Sequence, residues 1–513
     1  MSTRNRISRR AFLTLAGASA AAGLAAACAP AAPAPTTGGA QGEAPKAAEP
    51  TAAPQEQQLT LTYVFPQFSG IPKDLESVQQ ALNQATLARI NAIVKLMPIE
   101  FGAWGDKINL MNAGGEQYDL AYTANWTNDY YRNVANGVFV ELDELLPAKA
   151  PKYWGSMPVT TWEAAKVKGK LYAGINQQMF PKNWGFVARK DLVEKYGLDY
   201  QNVAKWQDTE EWQQRVYEGE GGNVIPWGGP TFLFIPEIYD FAPIDDGIPW
   251  LVVDPDDQSA RVQRLQELAE FAEAWDLSRK WYDAGWMVKE ETPTDELRAN
   301  WKAGKHAIAL NPVNKPRGEV EAKNIYGYDM VQRALARNIL TTPGITATMT
   351  GVSRTTVSAE KACEWLELVN TDKPVYNLLC IGVEGKHWKW KDQGREIIEQ
   401  IPDSGYNPTT DWMFGNQFLA YYREEYMVGA WEETKKINDS ALPSPTLGFV
   451  MDREPVKNEI AAVSAIFDEY PTFGKQSIPA ADLPKVIQAM DDAGARVVQQ
   501  EMQRQIDLWK QNK

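Results

Sequence analysis

The sequence predicts an α/β protein with a doubly wound first lobe, and three stretches carry that reading. Leu59-Thr60-Leu61-Thr62-Tyr63-Val64-Phe65 has the alternation of a strand. After the turn Pro66-Gln67-Phe68-Ser69-Gly70, helical spacing runs from Ile71 to about Ile90, and Asn91 to Phe101 holds a second β-run (Ile93, Val94, Leu96, Met97, Ile99). Phe101 to Leu145 then passes from helix to strand and back to helix. Strand and helix signals in this alternation argue for a sheet covered by helices on both faces. At 513 residues the chain exceeds one compact core, so two or three domains are expected.

The third stretch organises the rest. Trp104, Ile108, Leu110 and Met111 recur at helical spacing, and Gly114-Gly115 stops that helix. Tyr118-Asp119-Leu120-Ala121-Tyr122 is short and mostly apolar, as a buried strand is. Thr123-Ala124-Asn125-Trp126 follows at once, then a helix through Tyr130, Tyr131 and Val134. Ligands of open α/β sheets bind beyond the carboxyl ends of the strands. Asn125 and Trp126 are therefore candidate binding residues, and Gln67, at the carboxyl end of the first strand, shares their rim. A tryptophan packed on its own helix and a surface glutamine would leave the same sequence.

Composition narrows the partners. Net charge is −14, more acidic still once the leader arginines Arg4, Arg6, Arg9 and Arg10 are removed. So acidic a chain repels phosphate backbones, which argues against nucleic acid. The 19 tryptophans and 20 tyrosines either fill cores or stack on flat faces such as sugar rings.

Residues 1–27 read as an export signal: Ser8-Arg9-Arg10-Ala11-Phe12-Leu13 precedes a weakly apolar Ala/Leu/Gly stretch ending Ala25-Ala26-Ala27-Cys28. The paired arginines with Phe and Leu behind them look like the twin-arginine route, with Thr14 where a basic residue is usual. Half a dozen strongly apolar residues fall short of the ~20 that a membrane span needs. Cys28 looks like a lipoprotein acceptor, although Leu24 lies four residues before it rather than three; ordinary cleavage nearby is the alternative. Residues 28–57, rich in Ala, Pro and Gly, have little to bury and suit a disordered tether.

Further along, Gly169 separates two short β-type runs as a hairpin turn does, Trp184 to Arg189 reads as a strand, and Asp191 to Gly197 as a short helix closed by glycine. The succession Tyr118-to-Trp126, Gly137-Val138-Phe139-Val140-Glu141-Leu142, Gly169-Lys170-Leu171-Tyr172-Ala173 and Ala188-Arg189-Lys190-Asp191-Leu192 resembles the family 1 extracellular solute-binding proteins of ABC importers, the group that includes maltodextrin binders. The likeness continues through Trp301 to Pro312 and Gly351 to Leu368. From residue 371 it narrows to a lipoprotein-like subgroup with a C-terminal domain of undefined function, carried by Gly382-Val383-Glu384-Gly385-Lys386-His387-Trp388, Trp412-Met413-Phe414-Gly415-Asn416-Gln417 and Gln503 to Trp509.

That resemblance implies a two-lobed periplasmic-binding-protein type II fold with hinge crossings and a mostly helical C-terminal extension. Lobe 1 is expected over 58–174 and 306–352. Lobe 2 is expected over 175–305 and 353–513, with the subgroup domain from about 371. Asn176 and Gln177 would be hinge and cleft floor, the strand ending at Asn311 would return to lobe 1, and hinges would fall near 174–178 and 311–313. Trp227 and Trp412 would either stack on a pyranose face or fill cores. His387, one of two histidines, would be either a cleft residue or a satisfied hydrogen-bonder. The implied activity is capture of a small solute, an oligosaccharide above all, and its delivery to ABC permease subunits. The protein would be an extracytoplasmic monomer held to the membrane only through lipidated Cys28.

No cofactor or metal is called for. Two histidines cannot build a histidine-rich site, Asp254-Pro255-Asp256-Asp257 lacks the glycine and closing glutamate of a calcium loop, and no G-x-S-x-G or P-loop pattern occurs. A secreted glycoside hydrolase would need two carboxyls about 5–9.5 Å apart, and nothing singles out a pair; Glu237 and Asp240 read as a solvated face. An adhesive or sensory surface lipoprotein is the third class. Cys363 in a helix and Cys380 in an expected strand leave a disulfide open.

Overall fold

The computed structural model describes residues 58–229, 234–288, 292, 294–469 and 483–512. The leader, Cys28, the tether and residues Pro230 to Leu233 lie outside them.

The chain enters with β1 (Leu59–Gln67), helix α1 (Leu75–Ile90), β2 (Ala92–Glu100), helix α2 (Phe101–Gly114) and β3 (Leu120–Thr123). Helix α2 ends where the glycine pair demands: Gly115 takes the left-handed conformation, φ 64°, and returns its N–H to the last turn. A short helix α3 (Tyr130–Ala135) and β4 (Ala173–Ile175) complete this pass. The hairpin expected at Gly169 is a single bridge between Val167 and Lys170.

Residues 176–184 cross to a second lobe. It contains β5 (Gly185–Arg189), α4 (Lys190–Tyr196), α5 (Glu210–Gly219) and β6 (Ile225–Trp227). A small antiparallel sheet follows, β7 (Ala242–Pro243), β8 (Leu251–Val253) and β9 (Gln263–Arg264), then α6 (Ala269–Asp283), α7 (Thr294–Lys302), β10 (His306–Asn311), α8 (Glu319–Tyr326) and β11 (Met330–Ala334). Residues 335–348, with β12 (Ile339–Leu340), cross back to β13 (Met349–Val352), α9 (Ala359–Thr371), α10 (Lys373–Ile381), the pair β14 (Trp388–Asp392) and β15 (Ile397–Gln400), and α11 (Ala430–Ser440). A third crossing carries β16 (Leu442–Pro443) to α12 (Lys457–Glu469), α13 (Leu483–Asp492) and α14 (Ala495–Gln511).

The first sheet has the order β2-β1-β3-β13-β4 and the second β11-β5-β10-β6. Strand β1 runs parallel to β2 and β3, so their carboxyl ends share one edge and Gln67 faces Glu100. Strands β12 and β16 pair in parallel, Ile339 with Leu442 and Leu340 with Pro443, which laces the second and third crossings together.

Sheet membership divides the chain differently from the expected boundaries. Strand β10 does not return to the first lobe; Ile308 pairs with Ala188 of β5 and with Trp227 of β6, so residues 306–334 belong to the second sheet. The second crossing therefore falls at 335–348, not at 311–313. Gly185 permits this arrangement, since a Cβ there would sit 2.0 Å from the Arg333 carbonyl oxygen of β11. Residues 353–440 likewise pack on the first lobe: Trp365 and Leu366 of α9 and Tyr376 of α10 share a core with Leu61, Val64 and Leu120. Cys380 lies in helix α10 rather than a strand, started by Asp372, whose side chain accepts from Val375 N, and by Pro374 in the first turn. Cys363 and Cys380 are both buried free thiols.

A second core gathers Trp206, Trp212, Trp227 and Trp281. A third joins the small sheet to the C-terminal helices, with Trp250 and Val252 against Val498 and Ile506. The buried Arg264 of β9 pairs there with Glu267 and with Asp491 of α13. Helix α6 belongs to two cores: Phe271 and Trp275 enter the third, Leu277 and Trp281 the second. The C-terminal helices are thus built onto the second lobe's side.

Candidate functional site

The shared strand edge of lobe 1 is aromatic. Phe68 and Phe101, each one residue past its strand, stack with centroids 4.4 Å apart. Trp126, three residues past β3, lies 6.4 Å from Phe68, 6.3 Å from Phe101 and 6.4 Å from Tyr122. Trp412 arrives from the return segment, 5.6 Å from Phe68 and 6.3 Å from Tyr122. Trp126 is 44% exposed, so an indole face remains open to a guest.

The turn that presents Trp126 is rigid. Thr123 Oγ1 donates to Asn128 O at 2.6 Å, and Asn128, in the left-handed region with φ 45°, donates from Nδ2 to Tyr122 O at 2.8 Å. Three further bonds tie the turn to the second crossing: Asn125 N to Thr346 O at 3.2 Å, Asn125 Nδ2 to Pro343 O at 2.7 Å, and Trp126 Nε1 to Ala347 O at 2.8 Å. The exposed ring is thereby fastened to a segment that joins the lobes.

Lobe 2 supplies the facing wall. A cavity of about 340 Å³ opens between Gln67, Phe68 and Phe101 on one side and Arg298, Lys302 and Asn324 on the other. Arg298 of α7 donates to Phe68 O and, at 3.1 Å, to Ser69 Oγ. A smaller cavity continues past Asn324 and Ile325 to Trp412, Asp411 and Arg423.

A second polar cluster gathers around the first crossing. Trp184 Nε1 donates to Glu237 Oε1 at 3.0 Å, and burial pushes the Glu237 carboxyl up to about 8. Desolvation likewise lowers nearby Lys182 to about 8, with the exposed Asp246 close by. Glu237, expected on a solvated face, is only 8% exposed, whereas Asp240 sits on the surface and pairs with Arg337 at 2.7 Å. No short-range pattern marks Lys182, Trp184 or Asp246; their proximity is a product of the crossing. Among the described residues no group of three His, Cys, Asp or Glu side chains could hold a metal ion.

Gln67, Asn125, Trp126 and Trp412 come together at this rim, with Gln67 and Asn125 buried beneath the rings. Gln67 Nε2 donates to Pro408 O at 3.2 Å. The other candidates stand elsewhere. Asn176 is buried, donating to Met413 O at 2.7 Å and accepting from Thr350 Oγ1 at 3.3 Å. Gln177 donates to Ser156 Oγ at 2.9 Å, and its backbone pairs with Gly415 and Gln417. Both residues lock the first crossing to the return segment. Asn311 closes a turn with Asn314 at 3.0 Å. Trp227 fills the second core, 5.3 Å from Trp206 and 5.7 Å from Trp281. His387 is fully buried; Nδ1 accepts from Val383 N at 2.8 Å, which leaves Nε2 to donate to Asp74 Oδ2 at 3.0 Å. Both ring nitrogens are engaged within the protein.

With this geometry in place, comparison with known proteins is decisive for the fold. The structure superposes on the N-glycan transport solute-binding protein NgtS from Streptococcus pneumoniae with a TM-score of 0.77, at 22% identity, over 88% of this chain and 99% of that one. This is the two-lobed solute-binding fold. The same protein in complex with Man1GlcNAc gives a TM-score of 0.75, at 21% identity and with the same coverage of 88% and 99%. A carbohydrate ABC transporter substrate-binding protein of Streptococcus pneumoniae serotype 4 (strain ATCC BAA-334 / TIGR4) is 25% identical over 466 residues, 87% of this chain and 90% of its own length. Residues 445–511 match a domain of unknown function, DUF3502. The resemblance drawn from the sequence, to ABC-importer binding proteins with an uncharacterised C-terminal domain, is borne out in both parts.

Proposed function

We propose that this chain is an extracytoplasmic solute-binding protein that captures an oligosaccharide between its lobes and passes it to the permease of an ABC importer. The observation that carries the reading is the half-open Trp126, set beside Phe68 and Phe101, which line a cavity with Arg298, Lys302 and Asn324 of lobe 2. A sugar ring has apolar C–H faces that lie on an aromatic plane and an equator of hydroxyls that need donors and acceptors. Gln67 and Asn125 support the rings, while Arg298, Lys302 and Asn324 offer polar groups from the opposite side. A guest touching both walls stabilises the arrangement in which they face each other, which is how ligand binding shifts a hinged pair of lobes. The carbohydrate name of the curated relative and the glycan held by NgtS point the same way.

We read residues 1–27 as a twin-arginine signal and Cys28 as the lipid-bearing residue that tethers a monomeric receptor through the 28–57 linker. Cys28→Ser would then move the protein from the membrane fraction to the medium.

A thermal-shift screen of glycans, with Man1GlcNAc first, followed by calorimetric titration, tests the main reading. A ligand that binds only the folded state raises the melting point, by about 2.7 kcal/mol of added stability at a hundredfold excess over Kd. Glu237, a buried carboxyl pushed up to about 8, is the kind of acid a glycoside hydrolase would use. Release of new reducing ends from a bound glycan would favour that alternative; binding with the glycan recovered intact favours capture.

A further inference from the structure

Ahead of the C-terminal helices, the side chain of Arg453 reaches back to the rim of lobe 1. Arg453 lies just beyond the third crossing, inside the stretch that matches the domain of unknown function. Its Nε donates to Asp245 Oδ2 at 3.0 Å and its Nη2 to Asp245 Oδ1, a two-pronged contact on the loop between β7 and β8. Its remaining prong, Nη1, donates to Asp129 Oδ2 at 3.2 Å. Asp129 stands three residues after Trp126 and begins α3, where its Oδ1 accepts from Arg132 N at 3.0 Å.

The two halves of this contact differ in kind. Ile244, Ile248, Met451 and Val456 share the third core, so Asp245 and Arg453 belong to one packed body. Gly247 confirms how closely they are fitted, because a Cβ there would lie 2.5 Å from Arg453 Cζ, and its N–H holds Asp245 Oδ1 at 2.8 Å. Asp129 instead sits beside Tyr130, which packs in the core of lobe 1. Of these contacts the Arg453–Asp129 arm passes from one body to the other, and the Arg453 guanidinium also lies 5.9 Å from the Tyr131 ring of lobe 1. Side-chain exposures of 24% for Arg453 and 22% for Asp129 keep the pair poorly screened by salt. The neighbouring pair, Lys168 with Asp452 at 3.5 Å, is 79% and 48% exposed and contributes little.

We propose that Arg453 is a positioning residue for ligand capture: the C-terminal domain, its arginine fixed by Asp245, grips Asp129 beside Trp126 and holds the cleft closed over a guest. Arg298, bonded to Phe68 and Ser69, grips the same rim from α7. The proposal rests on the reading of the cleft as a glycan site and assigns the uncharacterised domain the role of a clasp.

The test uses the full chain, Asp129→Asn, Arg453→Gln and the double variant. Asparagine caps a helix as well as aspartate does, so Asp129→Asn removes charge while α3 keeps its cap. Stopped-flow tryptophan fluorescence with Man1GlcNAc reads association and dissociation, and small-angle scattering of the unliganded chain reads compaction. The expected result for each single variant is a dissociation rate raised about five- to tenfold, an association rate within twofold of the original, and a larger radius of gyration. The double variant should be no worse than either single, since one contact is lost once. Unchanged dissociation and compaction in Asp129→Asn, or additive effects in the double, overturn the clasp. If Arg453→Gln fails to fold because Asp245 loses its partner, Asp129→Asn alone decides. If the unmodified chain binds no glycan, the function reading fails, and the scattering comparison still judges the clasp.

Discussion

Replacing Trp126 by alanine removes the more exposed of the two rim indoles. The residue is 44% exposed, and a tryptophan offers up to about 250 Å², so roughly 110 Å² awaits a guest. A sugar ring on one face covers about half to all of that area. At about 25 cal/mol per Å² the loss is roughly 1.4–2.8 kcal/mol, a ten- to hundredfold rise in Kd. The variant also gives up the bond from Nε1 to Ala347 O, about 1 kcal/mol of stability, and should remain folded. Calorimetric titration with Man1GlcNAc on the original and Trp126→Ala chains, with far-ultraviolet circular dichroism as a check on folding, reads the effect. A Kd within twofold of the original in a folded variant would refute the stacking role.

Arg298→Ala should weaken glycan affinity several-fold and leave the melting point within a few degrees, because its bonds to Phe68 and Ser69 join two lobes rather than support either core; paired titration and melting curves check this. His387→Ala should do the reverse. It strips Val383 N and Asp74 of a partner in a fully buried site, costing about 2–4 kcal/mol of stability with affinity unchanged, so an affinity loss without a lower melting point contradicts the placement. Burial pushes Glu237 from its ordinary 4.5 up to about 8 in the folded chain, which therefore holds that proton longer. Its contribution is fully present below about 4.5 and is lost as pH rises through about 8. Lys182, lowered by burial from 10.5 to about 8, regains stability for the fold above that value. Melting points from pH 5 to pH 8 should therefore fall more steeply for the original chain than for Glu237→Gln, and equal slopes would show that Glu237 is ionised throughout.

The early part of the fold was legible because its contacts are local. Strand β1, helix α1, strand β2 and helix α2 follow in the order that periodicity gives, and Gly115 caps α2 where the glycine pair signalled a stop. Trp126 was legible too, since a strand's carboxyl end places the next turn at an α/β rim. Sheet membership was not. The alternation from His306 to Asn311 marks a strand, but its partners are β5, over a hundred residues earlier, and β6. The strand in the second crossing, Ile339–Leu340, finds its partner in Leu442–Pro443, a pairing without a local signature.

Tryptophan roles were equally hidden. Trp227 and Trp126 both stand near strand ends, and what separates them is that Trp206 and Trp281 close over the first. At least ten tryptophans are fully buried, so their abundance reflects packing more than stacking on ligand. His387 acquired its role from Asp74, at the opposite end of the chain. Glu237 looked solvated because its acidic neighbours are, while Trp184 and the crossing that bury it are remote in sequence. Cys380 was misplaced by a short apolar run that fits helix or strand alike, and the better signal was Asp372 with Pro374 ahead of it.

The central claim is that a sugar lies between two walls, on Trp126, without being cut. A crystal structure of the chain grown with Man1GlcNAc measures this directly. The expected result is an intact glycan with one ring within about 4 Å of the Trp126 indole and at least one hydroxyl bonded to a residue of the second lobe. Density for a cleaved sugar, or for a glycan that touches a single lobe and leaves Trp126 bare, would contradict it.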